Sequence, residues 1–183
     1  MAKWVFEPGH SAAEFRARHM MVTWVRGHFK NVKGTMDFNP DDTAHASVNV
    51  VIDASQIWTG EPDRDAHLRS ADFLDVANHP TIVFRGASVE RCGAAHYKVS
   101  GGLTLRGVTR HVLLDVQYLG EWATPYWDGN KDWGPVPRAG FIATTSIDRQ
   151  DFGVGWNASL SNGGYVVGNE VFESECGPVV AGA

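Results

Sequence analysis

Apolar and polar residues alternate with a period of two through most of this chain, and that pattern admits little but antiparallel sheet. In 30–38, Val32, Gly34, Met36 and Phe38 share one face while Lys33, Thr35 and Asp37 share the other. In 46–54, Val48, Val50 and Ile52 alternate with Ser47, Asn49 and Asp53. Ile82 and Phe84 fall together in 81–85, and Val112, Leu114, Val116 and Tyr118 in 111–119. Phe141, Ala143, Thr145 and Ile147 do so in 140–148. Successive strand residues point to opposite sides, so each segment offers one face to a core and one to water. Shorter segments at 3–7, 13–18, 97–105 and 165–175 bring the expected total to about eight or nine strands, a number that closes a small barrel.

Turn chemistry separates these segments: Asn39-Pro40-Asp41-Asp42, Asn78-His79-Pro80, Asp128-Gly129-Asn130 and Ser161-Asn162-Gly163-Gly164. Gly101-Gly102 reads either as a turn or as a bulge inside one long strand. One stretch breaks the alternation. Thr59 or Gly60 stands as a cap, Pro62 lies in the first turn, acidic residues come early and Arg69 late, which suits the helix dipole. With Ser70 capping a second short turn, a helix or two is expected at 62–76. Residues 18–26 read as a helical turn or as strand. The stretch 120–138, with Trp122, Trp127, Trp133 and three prolines, is the most irregular loop. Its tryptophans read as barrel-end plugs, a mobile lid or a contact for another subunit. Residues 1–176 form one domain, and a tail at 177–183 is expected to fray.

Length and charge narrow the function. At 183 residues the chain fits one domain with a full core. The net charge is −5 and no run of Lys and Arg exceeds a scattered pair, which argues against nucleic acid and against an anionic membrane surface. No apolar stretch approaches a spanning helix, so no stable membrane insertion is expected. The first residues carry no apolar leader, and Cys92 and Cys176 are expected as free thiols, so a cytoplasmic location is expected. His10, His19 and His28 recur every nine residues without metal-ligand spacing. No nucleophile elbow, phosphate loop or dinucleotide fingerprint occurs, so no catalytic residue, metal or cofactor is assigned.

The inward faces of the clearest strands carry very few charges and mix large with small side chains. An eight-stranded barrel of this kind either packs solid or encloses one small apolar ligand. If a cavity exists, its expected lining is Phe15, Val32, Met36, Phe38, Val48, Val50, Ile52, Ile82, Phe84, Val112, Leu114, Val116, Phe141, Ala143 and Ile147. The charge-dense Arg64-Asp65-Ala66-His67-Leu68-Arg69 segment reads as a solvated helix face. A sharper reading makes Arg64 and His67, joined by His19, Arg26 and Arg149, a rim for an anionic head group.

Several strings, taken in order, are familiar: His10-Ser11 with Phe15 and His19, Val25-Arg26-Gly27-x-Phe29, Gly34, Ile52-Asp53-Ala54 and Thr59-Gly60. Arg64-Asp65-x-His67-Leu68-Arg69-Ser70-x-Asp72-Phe73-Leu74-Asp75-Val76, Pro80-Thr81-Ile82-x-Phe84 and Gly102-Leu103-Thr104-Leu105-Arg106-Gly107-Val108-Thr109-Arg110 follow. Gly140-Phe141-x-Ala143, Ile147-Asp148-Arg149-x-Asp151-Phe152-Gly153 and Val167-Gly168-x-Glu170-Val171 complete the set. Over residues 4–173 the chain resembles the YceI-like family of polyisoprenoid-binding proteins. The resemblance implies an all-β fold, a lipocalin-like eight-stranded antiparallel β-barrel with one or two short helices packed beside it. It implies a long isoprenoid or fatty-acyl chain inside the barrel, and a homodimer, and it implies no firm enzymatic activity. The expected function is a carrier or sequestering protein for such a chain. Two alternatives stand beside it: an enzyme acting on a lipid-like molecule, marked by an ionisable group inside the barrel, and a filled-barrel interaction module. A tunnel of several hundred Å³ points to a ligand, a packed interior to the module.

Overall fold

The structure, a computed structural model, describes residues 2–181, with the side chains of Ala2, Asp128 and 173–181 outside the description. Among the described residues there are eleven strands and one α-helix. In chain order the strands are β1 (Ala2–Phe6), β2 (Ala12–His19), β3 (Thr23–Lys30), β4 (Lys33–Phe38), β5 (Ser47–Asp53) and β6 (Ile57–Trp58). The helix α1 (Pro62–Arg69) follows, then β7 (Thr81–Arg91), β8 (His96–Leu105), β9 (Val108–Asp128), β10 (Lys131–Asp148) and β11 (Val167–Ala181). The sheet order β1-β4-β5-β7-β8-β9-β10-β11 is closed by pairing of β1 with β11, Trp4 facing Ala181. That ring has the eight staves expected. The other three strands prolong staves of the ring: β2 follows β1 along the edge of β11, β3 leads into β4, and β6 follows β5. Asn31, at φ 58°, is the joint between β3 and β4, in a left-handed conformation that Asn adopts more readily than most residues.

Three expectations are corrected. Residues 120–138 are not an irregular loop but the outer half of a long hairpin, where Pro125 faces Pro135 and Arg138 faces Trp122. Beyond Gln117 β9 has lost β8, and beyond Arg138 β10 has lost β11, so this arm is two-stranded with free edges. Proline, lacking an N–H, is tolerated on such an edge, and a register shift between Asp132 and Pro135 absorbs the rest. Trp122, Trp127 and Trp133 are exposed there and plug nothing, and the Lys131 ammonium lies 3.4 Å over the Trp133 ring. The tail is corrected too: Gly177–Ala181 belong to β11 and close the barrel. The helix is shorter than expected. Glu61, not Thr59 or Gly60, caps it by accepting from Asp63 N and Arg64 N, and 70–79 winds on as hydrogen-bonded turns. Residues 18–26 resolve as a strand hairpin through Met20 and Met21, both at positive φ. Gly101-Gly102 sits inside β8 without a turn. A Cβ at Gly101 would strike the Arg85 carbonyl, so the neighbouring strand requires glycine there.

Two apolar clusters make up most of the barrel interior. The larger, with Val32, Phe29, Ile57, Phe73, Leu105, Phe152 and Val154, lies toward α1. The smaller holds Trp4, Phe38, Tyr97 and Ala139, with Tyr118 and Phe141 packed against it. The end near α1 is tied by arginines that donate to backbone carbonyls. Arg69 reaches Ser55 O and Ile57 O at 2.9 and 2.8 Å, and Arg106 reaches Gly153 O and Ala71 O at 2.8 Å each.

At the other end Arg138 holds the arm to the β1–β2 turn. It donates to both Glu7 carboxylate oxygens at 2.9 and 3.1 Å and also to Thr124 Oγ1. The Arg138 hydrogen bond holds the Glu7 carboxyl below its ordinary value of 4.5, partial burial opposing and the nearby Arg138 and His10 charges assisting. A carboxylate depressed in the fold contributes stability that is present above its unfolded pKa and lost as the pH falls through the folded one. Glu7→Gln is therefore expected to cost about 2 kcal/mol at pH 7. Thermal melts of the two proteins should converge as the pH is taken well below 4.5. A gap that persists unchanged at acid pH would show that the pair carries no such linkage.

Candidate functional site: the barrel interior

Between the two clusters the inward faces leave space. The larger chamber, about 70 Å³, is bounded by Phe6, Met36, Phe38, Val48, Val89, Tyr97, Val99, Val116 and Phe141, with Asp37, Ala46 and Ser47 at its border. The smaller, about 50 Å³, is bounded by Ala13, Ile52, Ile82, Leu103, Val112, Thr144 and Thr145. Val50, Phe84, Leu114 and Ala143 line both, so the two adjoin along one corridor of the interior with these four side chains between them. Its walls are hydrocarbon because each contributing strand turns its apolar alternation inward: β5 gives Val48, Val50 and Ile52, and β9 gives Val112, Leu114 and Val116. The interior is thus neither plugged nor a wide tunnel.

One end of the corridor is aromatic. Phe38 meets Tyr97, Tyr118 and Phe141 with ring centroids 5.3–5.5 Å apart. Burial pushes the Tyr118 phenol up from its ordinary pKa, with the Glu121 charge adding to the shift. Polar atoms are few here. Ser47 Oγ donates to Asp37 Oδ2 at 3.1 Å, and the Tyr97 hydroxyl is fully buried without a partner.

Twelve of the fifteen expected lining residues bound the corridor: Met36, Phe38, Val48, Val50, Ile52, Ile82, Phe84, Val112, Leu114, Val116, Phe141 and Ala143. Phe15, Val32 and Ile147 do not. Val32 is wholly buried in the larger cluster, while Phe15, against Phe29 at 5.7 Å, and Ile147 border a separate open groove of about 920 Å³ together with Arg16, Arg26, His28 and Asp151. Phe6, Ala13, Val89, Tyr97, Val99 and Leu103 were missed. Tyr97, Val99 and Leu103 alternate along β8, so the period-two signal was present in 97–105 but its face was not read out.

The head-group rim does not assemble. None of its five residues bounds the corridor. His19 ends β2, and Arg26 is exposed on β3 beside Arg16, in the wall of the open groove. Arg64 donates to Thr59 Oγ1 and Thr59 O, while buried Asp65 accepts from Thr59 N and its hydroxyl. His67 packs edge-on to Phe73 and Trp156 and bonds Asp72 at 2.8 Å. Arg149, only 4% exposed, is not a rim residue and forms no ion pair with Asp151. It donates to the carbonyls of Val154, Trp156, Val167 and Gly168 and to Asn169 Oδ1. Among the described residues no group of three His, Cys, Asp or Glu is placed to hold a metal, and no helix is long and apolar enough to cross a membrane.

A closed antiparallel barrel with a short flanking helix and a hydrocarbon-walled interior is the class of protein these features define. The family model of the YceI-like domain matches residues 4–172. Protein YceI of Escherichia coli O157:H7 is 37% identical over 148 residues, covering 81% of this chain and 73% of that one. A UPF0312 protein of Serratia proteamaculans is 39% identical over 145 residues, covering 79% and 71%. The chain belongs to the YceI-like family. The fold agrees with solved structures: Burkholderia cenocepacia BcnA superposes at a TM-score of 0.75 with 21% identity, covering 97% of this chain and 99% of that one. A polyisoprenoid binding domain from Saccharophagus degradans, implicated in plant cell wall breakdown, superposes at 0.63 with 15% identity, covering 100% and 99%.

Proposed function

We propose that this chain carries or sequesters a long apolar chain, a polyisoprenoid or similar lipid, along the axis of the barrel. The supporting observation is the corridor itself, two adjoining chambers that share Val50, Phe84, Leu114 and Ala143 and are walled mainly by hydrocarbon. Each methylene moved there from water gains about 0.8 kcal/mol, so ten supply roughly 8 kcal/mol before the freedom lost on binding is subtracted. At about 70 and 50 Å³ the chambers are narrower than the roughly 300–1,000 Å³ of ordinary ligand pockets, so a chain enters by displacing side chains. Met36, unbranched and half-buried, and the half-buried rings of Phe6 and Phe141 are the ones that swing. Membership of the YceI-like family and a fold shared with a polyisoprenoid binding domain support the same reading.

Organic extraction of the purified protein followed by mass spectrometry tests it, together with titration by the C20 isoprenoid alcohol geranylgeraniol. A chain lipid in the extract, or saturable uptake of the alcohol, is expected. A clean extract with no uptake would leave the filled-barrel interaction module, which the narrow chambers and the exposed Trp122, Trp127 and Trp133 arm favour. A cytosolic location and a homodimer extend the proposal. Cell fractionation and sedimentation equilibrium read them separately.

A further inference from the structure

Tyr97 is 2% exposed, and its hydroxyl is the one buried side-chain polar atom among the described residues left without a hydrogen-bond partner. Packing does not account for that hydroxyl. The ring stands edge-on to Phe38 at 5.3 Å, a contact phenylalanine would make equally well. Burying a hydroxyl unpaired costs free energy that the same ring without oxygen would avoid. Around the larger chamber the other polar side chains are Asp37 and Ser47, which bond each other.

We infer that the Tyr97 hydroxyl is the polar anchor of the chamber, donating a hydrogen bond to a neutral oxygen on the chain held there: an alcohol, carbonyl or ether oxygen. The inference rests on the carrier reading and adds the chemistry of the ligand's polar group. Neutrality follows from the wall. Among the described residues lining the larger chamber there is no Lys, Arg or His, and the only carboxylate is Asp37. A carboxylate or phosphate brought there would lose its hydration without gaining a cation and would stand in the same chamber as a like charge. The anionic head group expected from the Arg64 segment is thus replaced by a neutral one at the opposite, aromatic end.

Wild type and Tyr97→Phe are titrated with three probes on one skeleton: geranylgeraniol, the hydrocarbon lacking its hydroxyl, and geranylgeranoic acid at pH 8. The variant is expected to bind the alcohol about tenfold more weakly and the hydrocarbon equally well. Wild type is expected to prefer the alcohol to the acid. Tyr97→Phe is also expected to melt at or above the wild-type temperature without ligand, since it removes an unpaired polar atom. Equal affinity of the two proteins for the alcohol, with the hydrocarbon bound, overturns the anchor and leaves the carrier reading standing. Preference for the acid overturns the neutral assignment. A variant that melts well below wild type shows that the hydroxyl has a partner within the protein, and overturns the inference as well. Failure of every probe to bind wild type overturns the carrier reading and this inference with it.

Discussion

Ala143→Trp is expected to abolish uptake of a long apolar chain while the barrel still folds. Ala143 lies on β10 opposite Val116 and is the smallest of the four side chains that line both chambers. An indole at that point occupies the junction itself. Titration with geranylgeraniol should show a loss of about a hundredfold or more, because most of the methylenes that drive binding are shut out. Overpacking a core costs about 1–3 kcal/mol, and here the chambers receive part of the new ring, so the lower end applies. Melting should then fall by only about 2–4 °C. Ala143→Gly, which opens the junction, is the control and should bind at least as well as wild type. Undiminished uptake by Ala143→Trp would mean that the chain is held elsewhere, and the corridor would lose its role.

The second large effect is on stability and lies at the other end. Arg149 donates five hydrogen bonds, four to backbone carbonyls and one to Asn169 Oδ1, and so gathers the segment 154–169 onto the barrel. Burial pushes its pKa down, the Asp148 charge opposes that shift, and no salt bridge is formed among the described residues, so the carbonyl dipoles meet most of the charge. Arg149→Ala leaves buried carbonyls unsatisfied at about 1–3 kcal/mol for each that water cannot reach. A loss of about 3–5 kcal/mol follows, with a fall in melting temperature on the order of 10 °C. Arg149→Lys should recover little of it, because one ammonium cannot span acceptors arranged around a planar fork. Loss of less than about 1 kcal/mol in Arg149→Ala would show that the segment is held by other contacts. Chain binding measured below the new melting point should persist, since Arg149 touches neither chamber.

Both ends of the barrel show how far the sequence could be read. Period-two alternation picks out most of the residues that bound the chambers because burial on one face of a strand is written directly into residue order. It gives a face and no depth, however. Val32 points inward as Val50 and Leu114 do, but at a level where Phe29 and Phe73 already fill the space, and Phe15 and Ile147 border the open groove beside Arg26. The charged strings read as a possible rim were legible as a family resemblance but not as a mechanism. Arg69, Arg106 and Arg149 take backbone carbonyls as partners, and carbonyls leave no trace in a side-chain pattern. The 120–138 arm was misread because Pro125, Pro135 and Pro137 signal loops unless the neighbours end first, and where β8 and β11 stop depends on register. Tyr97 was hidden for a related reason. In an alternating strand an inward tyrosine looks like any core aromatic, and only three dimensions reveal that nothing meets its oxygen.

The two ends of the barrel also differ in what it takes to part them. Near α1, guanidinium groups are tied to backbone oxygens, and those ties break only at the expense of several hydrogen bonds together. Toward Phe38 one guanidinium, that of Arg138 on Glu7, makes a comparable tie, while the rings lining the chamber merely touch and separate by rotamer change. A sleeve that yields at a single end imposes an order on traffic: whichever terminus of a guest goes in first must come out last. An oxygen resting against Tyr97 would be the last part loaded and the first offered to whatever receives the cargo.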